Sequence, residues 1–267
     1  MSQNVLPLAG CPPEPLMNYL KALGILRLVS EQADPSARGC WRDDVFVLHS
    51  KLDGEALTKF FLDDYQPTPI VGPWAGGSGF FSRDNKKAIE CLASPEAAPR
   101  CANYREVIET IQPILAQTGV KDKPTPEQKG LLLRRLRSEL PENALQWMDA
   151  ALVLRSDSQA FAPLLGTGGN DGRLDFSQNF MLRLLTLGIH KAAPEAAAAG
   201  WLENALCGRA LPGLARAAVG QFAPGRAGGP NATQGMEGDA TDNPWDFVLM
   251  IEGALLLGGA AVRRLGV

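Results

Sequence analysis

The chain has 267 residues, 45% hydrophobic and 21% charged, with a formal net charge of −3 at pH 7. That length buries a sizeable core as one large domain or two small ones, and the balance excludes a disordered chain. It also excludes a uniformly basic nucleic-acid coat, while leaving room for a local basic patch.

Five scattered cysteines (Cys11, Cys40, Cys91, Cys101, Cys207) form no C-x-x-C, and the N-terminus shows no signal peptide. Both point to a reducing, cytoplasmic setting.

Pro15 sits where a first-turn proline belongs, and Leu16, Tyr19, Leu20, Leu23 and Leu26 recur at helical spacing. A core-packing helix is expected there, with Lys21 and Arg27 on or near its opposite face. Val45 to His49 reads as a short strand. Glu55 to Leu62 reads as a helix, ended by Pro67 and Pro69.

The stretch 72–81 is a glycine loop flanked by aromatics, and Arg83, Lys86 and Lys87 follow on a helix running to about Leu92. An aromatic beside a cationic face is what unpaired bases stack on, which makes Trp74 a candidate stacking residue, although a buried loop has the same composition. Tyr104 to Leu115 places Val107, Ile108, Ile111 and Leu115 on one face. After the polar linker 121–126, Leu131, Leu132, Leu133, Leu136 and Leu140 make a leucine-rich helix. Arg134, Arg135 and Arg137 surround its other side, either along a phosphate backbone or as a solvated face partnered by Glu127 and Glu139. Pro141 starts another helix through Leu145, Met148 and Leu152.

Four glycines stand within seven residues at 166–172, after the apolar run Phe161 to Leu165. Asp175 and Gln178 read as a capping box opening a helix that carries Phe180, Leu182, Leu184 and Leu185. Asn170, Arg173, Gln178 and Asn179 in this stretch are side chains that recognise phosphates and base edges. An alanine-rich segment (192–199) and a short helix, Trp201 to Leu206, precede a third glycine region at 219–235, which carries Arg226 and Asn231. Asn243 as N-cap, Pro244 at N1 and Asp246 at N3 begin the last helix. The apolar run from Phe247 to Val262 is interrupted by Glu252 and three glycines and is too short to span a bilayer. It is expected to be a buried helix, and a chain ending so soon after it is expected to continue in the natural protein.

The fold class expected is α+β, predominantly helical with a small sheet and three long glycine-rich loops. The chain divides into 1–122, with helices, a short strand and the Trp74 loop, and 123–267, helical with the Gly166 and Gly225 loops, the two forming one compact unit.

Enzyme chemistries fit poorly. No G-x-x-x-x-G-K-[ST] occurs, and the Gly166 segment misses the dinucleotide spacing and lacks βαβ surroundings. His49 and His190 have no partners at metal-ligand spacing. Ser78 fails the nucleophile-elbow pattern. Asp171, Asp175, Asp239, Asp242 and Asp246 are explained by capping and turns. No cofactor and no catalytic residue is expected. Binding fits better: glycine loops bearing amides and arginines suit approach to a nucleic acid.

Several runs resemble one CRISPR family. They are Leu8-Ala9-Gly10-Cys11 with Pro13-Glu14-Pro15-Leu16 and Tyr19-Leu20-Lys21-Ala22-Leu23-Gly24; Pro67-Thr68-Pro69-Ile70 with the Trp74 loop; Leu164 to Met181; and Gln221 to Leu255. The family is the large subunit of the type I-G (formerly I-U) interference complex, Cascade. The likeness spans nearly the whole chain. Ala75 departs from it, standing where the family pattern has asparagine, which puts that loop's role in doubt.

The resemblance implies a non-catalytic subunit of an RNA-guided DNA surveillance complex, a ribonucleoprotein of antiviral defence. Such a subunit recognises the target-adjacent motif (the PAM) and helps open target DNA. Its implied partners are the guide RNA, target double-stranded DNA, the backbone subunits, and a helicase–nuclease recruited after target binding, with no membrane. Guide pairing carries most of the sequence information in such systems, so the protein reads only a few base pairs. Family members are longer, so this chain is expected to be the N-terminal part, lacking a helical, small-subunit-like C-terminal region.

The candidate nucleic-acid contacts are Lys86, Lys87, Arg134, Arg137, Asn170, Arg173, Gln178, Asn179, Arg226 and Asn231, with Trp74 for stacking. Two alternatives stand beside this reading. One is a protein–protein scaffold subunit of the same complex. The other is an enzyme binding a nucleotide or S-adenosyl cofactor.

Overall fold

Two helices with almost no polar surface to spare set the architecture. The first, α1 (Leu16–Gln32), follows the short strand β1 (Asn4–Leu8). The last, α9 (Pro244–Ala254), is buried along its entire length. They cross in backbone contact at Gly24 and Gly253. A Cβ on Gly24 would stand 1.9 Å from the Leu249 carbonyl oxygen, and one on Gly253 would stand 1.9 Å from that of Leu20. Only residues without side chains permit that approach. The computed structural model describes residues 3–75, 78–79, 83–120, 124–154, 159–162, 164–165, 174–218, 222–227 and 239–258.

The start of α9 follows the sequence expectation. Asn243 Oδ1 accepts from the Trp245 amide at 3.0 Å, Pro244 occupies N1, and Asn243 Nδ2 donates to Trp201 O and Asn204 Oδ1, both at 2.7 Å. A cap of this kind contributes about 1 kcal/mol. It also ties α9 to the neighbouring helix α8 (Ala198–Cys207). The helix stops at Ala254, within the expected apolar run.

The strands β2 (Arg38–Arg42) and β3 (Val45–Ser50) join β1 in an antiparallel sheet of order β1-β3-β2, with Val47 opposite Pro7 on one side and Cys40 on the other. Only β3 was expected from the sequence, because Phe46, Val47 and Leu48 are its buried run. Asp34, at the turn before β2, accepts from Ser36 Oγ (2.6 Å), the Lys51 amide (2.7 Å) and Ser50 Oγ (2.9 Å). Those donors, Ser36 foremost, hold its carboxyl well below the usual carboxylate range.

From β3 the chain enters α2 (Gly54–Lys59), capped by Asp53, and widens into a π-helical turn, Phe60–Asp64. Tyr65 and the extended run from Pro67 to Val71 then pass through the core. Trp74–Ala75 (β4) pairs with Ser78–Gly79 (β5). Next come α3 (Arg83–Ala93), α4 (Ala102–Thr118), α5 (Pro126–Glu139) and α6 (Glu142–Ala151). As the periodicity predicts, α4 buries Val107, Ile108, Ile111 and Leu115. A capping box of Thr125 and Gln128 opens α5. Leu152, expected at the end of a helix, instead begins β6 (Leu152–Leu154), which pairs with β7 (Gln159–Phe161). The remaining elements are α7 (Asp175–Leu187), β8 (Ala215–Ala218) and β9 (Asp239–Asp242), the last two paired.

The described residues therefore form a mixed α+β fold, mostly helical, with one small three-stranded antiparallel sheet. One hydrophobic core includes residues from both 1–122 and 123–267. Most of the three glycine-rich stretches, including 76–77, 80–82, 166–173 and 228–238, lies outside the described residues.

Two local expectations are corrected. The Asp175–Gln178 capping box does not form, because the N-cap is Leu174, at φ 78°, and Asp175 is already inside α7. Ser177 closes that turn, its hydroxyl donating to Leu174 O at 2.8 Å. Along α1 the buried face is rotated from the one expected. Leu16 and Tyr19 are exposed, whereas Lys21 and Arg27 are buried. The reason lies in α9, which offers them carboxylates.

Candidate nucleic-acid interface

The expected contact residues separate into three groups. Lys86 and Lys87 are exposed on α3, and Lys86 Nζ stands 3.7 Å from Glu90 Oε1 one turn on. Such a surface pair contributes little and leaves the ammonium available to a phosphate. Since α3 packs against α7, these lysines stand on the helix beside the one that carries Gln178 and Asn179, both half-buried in its first turns. On α5, Arg134 is exposed, but Arg135 Nε reaches Glu139 at 2.5 Å and Arg137 Nη2 reaches Asp149 Oδ1 at 2.6 Å. That arrangement is the solvated, carboxylate-partnered face weighed for these arginines. Asn170, Arg173 and Asn231 lie outside the described residues.

Trp74 is corrected as a stacking residue. Its side chain is fully buried, with Lys129 Nζ 5.1 Å from the ring centroid, so no face is open to a base. Burial of a large aromatic outweighs its display on a loop. The described backbone of that loop joins the core against α7. A Cβ on Gly72 would stand 2.7 Å from Ser177 Oγ.

Arg226 is exposed on a short 3₁₀ turn, Pro224–Ala227, yet its guanidinium returns to the core. Both Nη1 and Nη2 stand 3.4 Å from Asp246 Oδ2. Asp246 already holds Lys21 Nζ at 2.6 Å through Oδ1, with both side chains buried. Asp246 thus has an inner, fixed cation and an outer, longer-range one.

The residues that sequence reasoning missed form a second buried ion pair. Glu252 is inaccessible to solvent; Arg27 Nη1 (2.6 Å) and Thr68 Oγ1 (2.6 Å) donate to its Oε2, and Tyr65 Oη (2.6 Å) and the Thr68 amide (3.0 Å) to its Oε1. Burial works against the Arg27 guanidinium, but the carboxylates of Glu252 and Glu31 outweigh it and hold its pKa above the ordinary value. Burial, reinforced by Glu252, pushes the Tyr65 phenol well up, so it remains a donor.

A signal was present in the sequence. Asp246 and Glu252, the two carboxylates of an otherwise apolar helix, have the same spacing as Lys21 and Arg27 on α1. Nearby, Arg183 stacks on Phe247 (4.5 Å) and reaches Asp242 Oδ2 at 3.3 Å. Burial raises the Asp242 pKa against that cation.

No protein-family model matches the chain, and no curated protein sequence matches it. Among the described residues, no group of three or more His, Cys, Asp or Glu side chains is arranged to hold a metal ion. No helix among them is long and apolar enough to cross a membrane.

Proposed function

We propose that the chain is the N-terminal part of the large subunit of a type I-G CRISPR interference complex, a cytoplasmic RNA-guided DNA surveillance particle. In this reading it is non-catalytic. It recognises the target-adjacent motif, helps open target DNA, and works beside guide RNA, the backbone subunits and a helicase–nuclease recruited after target binding.

One observation carries the reading beyond the sequence runs themselves: the separated runs that resemble the family meet at one place. Lys21, from the first run, and Arg226, from the fourth, share Asp246. Thr68, from the second run, and Arg27, just after the first, share Glu252. The third run supplies α7, against which Gly72 is packed. A likeness concentrated on mutually dependent core residues is what a shared fold requires. The rigid α1–α9 centre would then present the loops and exposed cations to the nucleic acid.

Among the described candidate residues, the cations left for that task are Lys86, Lys87, Arg134 and Arg226. Replacing Lys86 and Lys87 together by alanine is expected to weaken target-duplex binding by the assembled complex. The slope of log affinity against log salt should fall by about two, one for each lost phosphate contact. An unchanged slope would remove α3 from the interface. It would favour the scaffold reading.

A further inference from the structure

Between α1, the Gln66–Pro69 segment, α4 and α6 lies a cleft of about 330 Å3, above a floor of Pro67 and Pro69. Its walls include Arg27, Glu31, Gln66, Asn103, Asn143 and Gln146. The volume lies at the lower end of the range for small-ligand sites. The guanidinium and the carboxylate in this wall pair with each other, Arg27 Nε to Glu31 Oε1 at 3.1 Å, and Arg27 is also neutralised by Glu252 beneath. One guanidinium against two carboxylates leaves this wall net negative, which disfavours a phosphate and suits an uncharged ligand that donates hydrogen bonds.

Its hydrogen-bonding groups are set by the same network. Arg27 Nη2 donates to Gln146 Oε1 at 2.5 Å, which fixes that amide's orientation and leaves its NH2 as the available donor. Glu31 keeps Oε2 as an acceptor. Asn103 and Asn143 each add a carboxamide, which donates and accepts side by side. Thr68, bound to both Arg27 and Glu252, holds the floor to the core.

We propose that this cleft binds a nucleobase with an exocyclic amino group, adenine above all. A primary amide pairs bidentately with the adenine amino group and a ring nitrogen, and a carboxylate accepts from an exocyclic amine. Uracil and thymine lack that amine and offer the carboxylate only the ring N3–H, flanked by carbonyl oxygens that a carboxylate repels. The inference goes beyond the subunit role and does not depend on it. The base reaches the cleft either as a free nucleoside or turned out of a strand.

The test is titration of the ¹⁵N-labelled chain with adenosine and, separately, with uridine, at millimolar concentrations. Adenosine is expected to shift the side-chain amide signals of Asn103, Asn143 and Gln146 saturably, with an affinity at least about tenfold above that of uridine. Asn103 and Asn143 take no part in the hydrogen bonds of the Arg27–Glu252 pair, so Asn103→Leu and Asn143→Leu should each lower adenosine affinity about tenfold while melting as the parent does. An equal response to the two nucleosides, no saturable shift of those amides, or undiminished binding in both variants would overturn the proposal. The amide shifts in the unsubstituted chain decide the matter even if a variant fails to fold. Short oligo(dA) at high salt separates the sources. Tighter binding than adenosine at the same amides identifies a strand, and equal binding a free nucleoside. Because adenosine is uncharged, the outcome is independent of the Lys86 and Lys87 experiment.

Discussion

Gly24→Ala is expected to destabilise the protein by more than about 3 kcal/mol, beyond the usual range for overpacking, because the obstruction is backbone rather than a side chain that can turn away. On helix propensity alone the substitution would be favourable by about 1 kcal/mol. The sign is decided by the neighbour. The new methyl would stand 1.9 Å from the Leu249 carbonyl oxygen and 2.9 Å from the Gly253 amide nitrogen, so α1 and α9 would have to separate. Separation would pull apart both buried ion pairs as well as the apolar contact. The control is Gly130→Ala on α5, where the nearest atom is the tip of the Arg134 side chain at 3.7 Å. Urea denaturation of the two variants should move the midpoint sharply down for Gly24→Ala and leave it level or slightly raised for Gly130→Ala.

Arg27→Met should cost about 3–5 kcal/mol, the range for removing one partner from a buried pair. The loss comes less from the attraction given up than from the charge left behind. Glu252 would keep three donors from Tyr65 and Thr68 but no cation, in a site closed to water. Glu31→Ala removes the other carboxylate on Arg27, but that carboxylate is nearly half exposed, so a change of at most about 1 kcal/mol is expected. Combining Glu252→Leu with Arg27→Met should not restore the parent's stability. The double variant removes both charges but strips the acceptor from the Tyr65 hydroxyl, the Thr68 hydroxyl and the Thr68 amide. Each buried donor so orphaned costs roughly 1–3 kcal/mol. Thermal and urea unfolding of the four proteins should therefore leave Glu31→Ala near the parent and place both Arg27→Met and the double variant well below it.

The elements legible in the sequence were those whose local chemistry agrees with their surroundings. The start of α9 was readable because Asn243, Pro244 and Asp246 each favour a helix N-terminus by themselves, and β3 because its apolar run is continuous. The buried face of α4 followed from a repeat that nothing opposed.

What misled was chemistry settled by distant partners. Lys21 and Arg27 were placed toward solvent on charge, and only α9, more than 200 residues away, makes their burial favourable. Trp74 is a stacking candidate in the sequence because cationic residues follow its loop, whereas the ring is buried. The β1 and β2 strands are carried by pairing with β3 rather than by alternation of their own. Of the candidate interface, Lys86, Lys87 and Arg134 stand exposed. Arg137 and Arg226 are held by carboxylates whose approach no spacing rule reveals.

The most direct measurement of the account is reconstitution of a type I-G interference complex with its guide RNA, with and without this protein. Binding to a target duplex that carries the adjacent motif is then followed at physiological salt. The account predicts that the protein joins the particle stoichiometrically and that tight, motif-dependent duplex binding disappears without it. A particle that assembles and binds the motif-bearing duplex equally well in its absence would contradict the account.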